Sequence, residues 1–205
     1  RTAPPFTLDG THNQTFYGLN QAVPGLNFAT LRLITPSPGI WTIRAYGYTT
    51  LSGGFNMWIN NREFLWGDTY FLQPDPYNTT PDPGNTTVPV TVGAYNYRDG
   101  SIYIGSGRGT VSYSDDKPDI VSPGVNVLCP LSYGNNIYGQ MTGSSLAAAI
   151  TGGGAALILE YGIVKGFYPF MRSYTVKNFL INGADRREEY RYPDPLFGYG
   201  TLNVY

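Results

Sequence analysis

The sequence predicts an α/β domain in its later part, preceded by antiparallel β structure. Three features carry this. Up to about Pro76, short alternating runs are broken by Gly and Pro. From Ser145 to Glu160 the chain is apolar on every side. Between them stand short apolar blocks with the look of strands.

The elements follow in order. Leu31-Arg32-Leu33-Ile34 and Trp41-Thr42-Ile43-Arg44-Ala45-Tyr46 alternate as half-buried strands do, and Pro36-Ser37-Pro38-Gly39 supplies the turn between them. Phe55-Asn56-Met57-Trp58-Ile59 is a third strand candidate, so the region reads as part of a β-sandwich. A polar, proline-rich stretch from Pro74 to Gly84 then serves as linker or long loop. Val88–Ala94 and Asp119–Ser122 follow as apolar strands. The Ser145–Glu160 segment contains Ala147-Ala148-Ala149 and Gly152-Gly153-Gly154. A helix lacking a polar face is expected to be buried in the middle of a domain. Its glycines each cost roughly 1 kcal/mol of helix propensity against Ala, and close approach of neighbouring elements would explain them. A second helix is expected from Ser173 or Thr175 to Asn182, with Gly183 as its stop.

Composition narrows the function classes. The 205 residues suffice for one sizeable core or two small ones. With 13 basic and 14 acidic residues, no charge excess points to nucleic acid or to an anionic membrane surface. The 26 Gly, 16 Pro and 18 Tyr, with only 13% charged residues, suit a turn-rich folded chain rather than disorder. The apolar run Leu146–Leu159 is interrupted by glycines and too short to cross a bilayer. No basic segment followed by an apolar one opens the chain as a signal peptide would. The single cysteine, Cys129, excludes an intramolecular disulfide and reads as a small buried apolar residue. Asp115, Asp116 and Asp119 lack the spacing of a calcium loop and read as a solvated turn. No cofactor or metal ligand set is expected.

The chemistry concentrates in Thr142-Gly143-Ser144-Ser145-Leu146-Ala147-Ala148-Ala149. A small, flexible turn delivers Ser145 to the first turn of the apolar helix. Unpaired N–H groups and the positive helix end then stand beside its hydroxyl, where they can stabilise an oxyanion. The competing reading makes Ser145 a helix N-cap.

This stretch resembles the serine motif of the subtilases, Gly-Thr-Ser-Met-Ala-Ala-Pro. Gly143, Ser145, Ala147 and Ala148 match it, while Ser144, Leu146 and Ala149 depart from it. Three more blocks resemble the family in its order: Val90-Thr91-Val92-Gly93-Ala94, Lys117-Pro118-Asp119-Ile120-Val121-Ser122-Pro123-Gly124, and Phe197-Gly198-Tyr199-Gly200-Thr201-Leu202-Asn203-Val204. The second block carries Ser122 where the family motif has Ala. The resemblance implies a subtilisin-like parallel sheet with buried helices over residues 85–205 and a serine endopeptidase with Ser145 as nucleophile. Ser106-Gly107-Arg108-Gly109, Gly162-Ile163-Val164 and Gly183-Ala184-Asp185-Arg186 resemble the clostridial germination proteases called Csp, which carry an inserted antiparallel β jelly roll. Gly39–Ile43 and Gly54–Ile59 resemble the end of that insert. Residues 1–76 would then be its C-terminal part and 77–84 a linker. The Csp resemblance further implies a spore cortex-lytic enzyme precursor as substrate, and a secreted or spore-associated setting.

A serine protease also needs a base and a carboxylate to orient it. The only histidine, His12, lies in Asp9-Gly10-Thr11-His12, with Asp9 where the family's catalytic histidine would stand. It therefore reads as a turn or surface residue of the insert. The family's order places the catalytic Asp, His and oxyanion Asn upstream of Arg1. The expected partners are that upstream polypeptide, with a retained prodomain, and a protein substrate. Neither nucleic acid nor membrane is expected. A catalytically inactive subtilase acting as regulator or scaffold stays open as the alternative.

Overall fold

The computed structural model describes residues 6–8, 11–19, 27–44, 55–60, 65, 67–109 and 117–204. The chain divides into two units, Arg1–Asn60 and Asn61–Tyr205.

The first unit holds an antiparallel sheet of β1 (Phe6–Leu8), β2 (Thr11–Leu19) and β3 (Asn27–Ile34), in that order. His12 pairs with Ile34 and Leu19 with Asn27 across β2 and β3. The expected strand Leu31–Ile34 is thus the end of β3. Thr35 leaves it in the left-handed region at φ 51°, and Trp41 Nε1 donates to the Ser37 carbonyl at 3.0 Å. The strands expected at 41–46 and 55–59 are not found: residues 41–44 and 55–59 are irregular, and 45–46 lie outside the described residues. Alternation yields a strand only when one face is buried against something. Here Phe55, Met57, Trp58 and Ile59 are all exposed.

In the second unit, β4 (Val92–Tyr95) pairs in parallel with β5 (Ile120–Pro123), with Val92 opposite Ile120 and Tyr95 opposite Pro123. β4 starts later than the predicted Val88. The closing segment runs along the other edge of β5: Val121 N–H donates to Gly200 O at 3.0 Å and Leu202 N–H to Val121 O at 2.8 Å. β5 is therefore the central strand, and Ile120, Val121 and Ser122 are buried, as a strand covered on both faces requires. The antiparallel ribbon β6 (Val127–Pro130) and β7 (Tyr138–Met141) follows. Helix α1 (Ser144–Leu159) continues through one π-helical turn, Glu160–Val164, and α2 covers Ser173–Asn182. Helix α1 covers the expected apolar run but begins one residue earlier, at Ser144, and α2 spans the expected Ser173–Asn182 with Gly183 as its C-cap. The core gathers Ile120, Val176, Leu180 and Ala184, with Val92, Ala155, Ile158 and Leu202 packed around them.

Helix α1 is not buried on every side as its sequence suggests. Helix α1 buries a single stripe, Ala147, Thr151 and Gly154, while Ala148, Ala149, Gly152, Gly153, Ala156 and Leu157 are exposed. The sheet and the closing segment cover that stripe alone, and no described element covers the opposite face. Only Gly154 of its glycine triplet meets a close neighbour: a Cβ there would lie 3.1 Å from Val204 Cγ1, whereas Gly152 and Gly153 face open space. With its π turn the helix spans 21 residues, long and apolar enough to cross a membrane. The run judged too short from sequence is thus longer in the fold, because Ser144 and the turn to Val164 extend it.

Gly198 shows how tightly the closing segment sits. Its φ is +59°, and a Cβ would run into the Pro118 carbonyl and the Asp119 backbone. Backbone cannot yield as a side-chain tip can. Gly198→Ala is expected to destabilise the complete protein by about 3 kcal/mol or more, read as a lowered midpoint of chemical unfolding.

Candidate active site

β5 delivers the chain to Gly124, where the backbone passes so close that a Cβ would lie 2.6 Å from Ala94 Cβ and 3.0 Å from Gly143 O. The β6–β7 ribbon loops out and returns to Thr142 and Gly143. Two bonds close this loop. Gly143 N–H donates to Gly124 O at 2.8 Å, and Asn126 N–H donates to Thr142 Oγ1 at 2.9 Å. Gly143 is the N-cap of α1, with extended backbone. Leu146 N–H is taken by Gly143 O at 3.2 Å.

Ser145 is therefore the second residue of the helix and not its cap, and no side chain caps this helix end. Its side chain is exposed, and among the described residues its hydroxyl makes no hydrogen bond. The N-cap reading of Ser145 thus does not hold. The N–H groups of Ser144 and Ser145 belong to the first helical turn, which has no carbonyl partners of its own. No acidic side chain occupies that turn. The arrangement offers a free hydroxyl beside open donors at the positive end of a 16-residue helix, suited to attack on a carbonyl and retention of the resulting oxyanion. Ser144, also exposed, stands one residue closer to the cap.

Among the described residues, none of the other side chains singled out from sequence hydrogen-bonds to Ser145. His12 is in β2 of the first unit, in a strand rather than a turn, and its side chain lies outside the described residues. Asp115 and Asp116 also lie outside them. Asp119 is not in a solvated turn. It is buried, with Lys117 Nζ at 2.8 Å and Lys177 Nζ at 2.9 Å from its two oxygens, and Thr91 N–H donates to it at 2.7 Å. Burial pushes the Lys117 ammonium below the ordinary lysine range, and its hydrogen bond to Asp119 opposes that shift. Cys129 is half-buried on β6, with its thiol 3.7 Å from Gly139 O. Among the described residues, no group of three or more His, Cys, Asp or Glu side chains could hold a metal ion.

Two contacts were missed from sequence. Lys177 on α2 completes the pairing of Asp119 and also donates to Thr87 O and Pro89 O. The Ser122 and Thr151 hydroxyls meet at 2.6 Å between β5 and α1. The replacement of the motif's alanine by Ser122 was the one available signal for the second.

A serine at the head of a glycine-rich helix, beside a parallel β4–β5 pair and a returning Gly-Tyr-Gly segment, defines a class. The model of the Subtilase family, Peptidase_S8, matches residues 61–200, and the chain belongs to that family. Serine protease AprX of Bacillus subtilis (strain 168) is 33% identical over 134 residues, covering 56% of this chain and 28% of AprX. The Clostridium perfringens CspB protease structure is similar at 36% identity and a TM-score of 0.62, covering 66% of this chain and 29% of that one. The prenylagaramide maturation protease PagA is similar at 27% identity and a TM-score of 0.51, covering 63% of this chain and 45% of PagA. The chain therefore spans less than a third of the length of AprX and of CspB. The subtilisin-like fold and the Csp-like character read from the motifs agree with these similarities.

Proposed function

We propose that the protein is a serine endopeptidase in which Ser145 attacks the scissile peptide carbonyl. The observation that carries this is an exposed Ser145 hydroxyl in the first turn of α1, unbonded among the described residues, in a chain that belongs to the subtilase family. An upstream histidine takes the Ser145 proton, an upstream aspartate orients that histidine, and the proton then passes to the leaving amine. The Ser145 backbone N–H and an upstream asparagine hold the oxyanion. The same upstream polypeptide covers the bare face of α1, where Ala148, Ala149, Gly152, Gly153, Ala156 and Leu157 are exposed.

The β-rich region, residues 1–76, is proposed as the C-terminal part of an inserted jelly roll, with 77–84 as its linker; the antiparallel order of β1, β2 and β3 supports this. The substrate proposed is the precursor of a spore cortex-lytic enzyme. What supports this is the Csp-type stretches at 106–109, 162–164 and 183–186 together with the likeness to CspB.

The isolated chain and the complete protein separate this reading from an inactive scaffold. With its general base expected upstream, the isolated chain is expected to show no peptidase activity and no reaction with an aryl phosphonate, while the complete protein cleaves a protein substrate. Labelling of the isolated chain at the rate of the complete protein would remove the need for upstream residues. Inactivity of the complete, unmodified protein would establish the scaffold reading.

A further inference from the structure

The Ser122 and Thr151 hydroxyl oxygens lie 2.6 Å apart in the interior, at 0% and 3% exposure. Thr151 gives its single hydroxyl proton to Ala147 O at 3.0 Å. Ser122 must then be the donor to Thr151 Oγ1, and among the described residues its hydroxyl has no other partner within the strand and helix network. A directed chain therefore runs from β5 through Thr151 to Ala147, two residues beyond Ser145. On the other side of Ser145, Gly143 N–H is tied to Gly124 O at 2.8 Å, just past the end of β5. The three residues Ser144, Ser145 and Leu146 lie between two anchors, one on β5 and one at the residue that follows it.

We infer that Ser122 and Thr151 are positioning residues, whose buried hydroxyl pair sets the depth and rotation of the first turns of α1 and hence the place of Ser145 Oγ. This rests on Ser145 being the nucleophile, as proposed above. The reason for a hydroxyl pair at this place is directionality. Two methyl groups attract without a preferred orientation and allow small slides. A hydrogen bond weakens steeply with angle and distance, so it holds register to a fraction of an ångström. A nucleophile displaced by about 1 Å can lose about 10²-fold in rate.

The test uses the complete protein carrying Thr151→Val, Thr151→Ser, or Ser122→Ala with Thr151→Val. For each, the melting temperature, KM, kcat and the rate of phosphonate labelling of Ser145 are measured. Thr151→Val is expected to lower kcat and labelling about tenfold with KM within about twofold of the unmodified value. Thr151→Ser keeps the hydroxyl and is expected to keep both rates. The double variant leaves no orphaned buried hydroxyl, so its melting temperature recovers while kcat and labelling stay low. Recovery of both stability and rates in the double variant would overturn the inference, leaving the pair a packing contact. So would labelling that is equally fast in all variants, with Ser145 confirmed as nucleophile. Should Thr151→Val fail to fold, Thr151→Ser and the double variant still decide. Absence of labelling at Ser145 in the unmodified protein would instead remove the nucleophile reading, and this inference with it.

Discussion

Ser145→Ala in the complete protein is expected to lower turnover roughly 10⁴-fold or more while the fold and unfolding midpoint stay within experimental scatter. The size follows from the role: with the nucleophile gone, only binding and oxyanion stabilisation remain to accelerate hydrolysis. The fold should tolerate the change because the Ser145 hydroxyl caps nothing and is exposed. Alanine also has better helix propensity than serine. Ser144→Ala is the internal control. Ser144 is also exposed, one position earlier, and loss of its hydroxyl should change turnover by less than about tenfold. Cleavage of a protein substrate by the two variants, side by side, reads the difference. Equal activity in Ser145→Ala and unmodified protein would refute the assignment.

The largest expected effect on stability lies at Asp119. Its carboxylate is shared by the Lys117 and Lys177 ammonium groups, with 5% of the Asp119 side chain accessible and 7% and 16% of the lysines. Removing one partner of such a group leaves charge buried and unmatched, at a cost of about 3–5 kcal/mol. Here two cations would be left facing each other. Their remaining bonds to Pro89 O, Thr91 Oγ1 and Thr87 O offset only part of that. Against a typical total of about 5–15 kcal/mol, Asp119→Ala should leave the domain marginal or unfolded. Asp119→Asn should be milder, since an amide oxygen can still accept from Thr91 N–H. The exposed Lys165–Glu160 pair at 3.5 Å makes the contrast, as its loss should cost less than about 1 kcal/mol. Chemical unfolding of Asp119→Ala, Asp119→Asn and Glu160→Ala gives the ranking, and an unchanged midpoint in Asp119→Ala would contradict this account of the network.

What was legible in the sequence, and what was not, follows from the range of the interactions involved. Helices α1 and α2 could be read because their signals are local: a long apolar run in the first, and Gly183 as the stop of the second. The β4 and β5 blocks could be read as a parallel pair only through their resemblance to family motifs, since short apolar runs alone do not fix pairing. Residues 41–44 and 55–59 were misread because alternation records a tendency that needs a partner strand, and none pairs with them among the described residues. The burial of α1 was overstated because an apolar surface says that something should cover it, not that the described elements do. Asp119 was misread as part of a turn because its decisive partner, Lys177, comes from α2, far along the chain. The position of Ser145 in the first turn of α1 was legible for the opposite reason: the turn and the small residues that set the helix start are contiguous. The histidine proposed as the partner of Ser145 was not, because the family's order puts it upstream of Arg1 and such groups meet in space rather than in sequence.

The most direct test of the central claim is mass spectrometry of the complete protein after reaction with an aryl phosphonate. The account predicts one adduct, on the peptide containing Ser145, lost in Ser145→Ala and retained in Ser144→Ala. An adduct on Ser144 or on another residue, or full peptidase activity with Ser145 unmodified after complete inhibitor treatment, would contradict it.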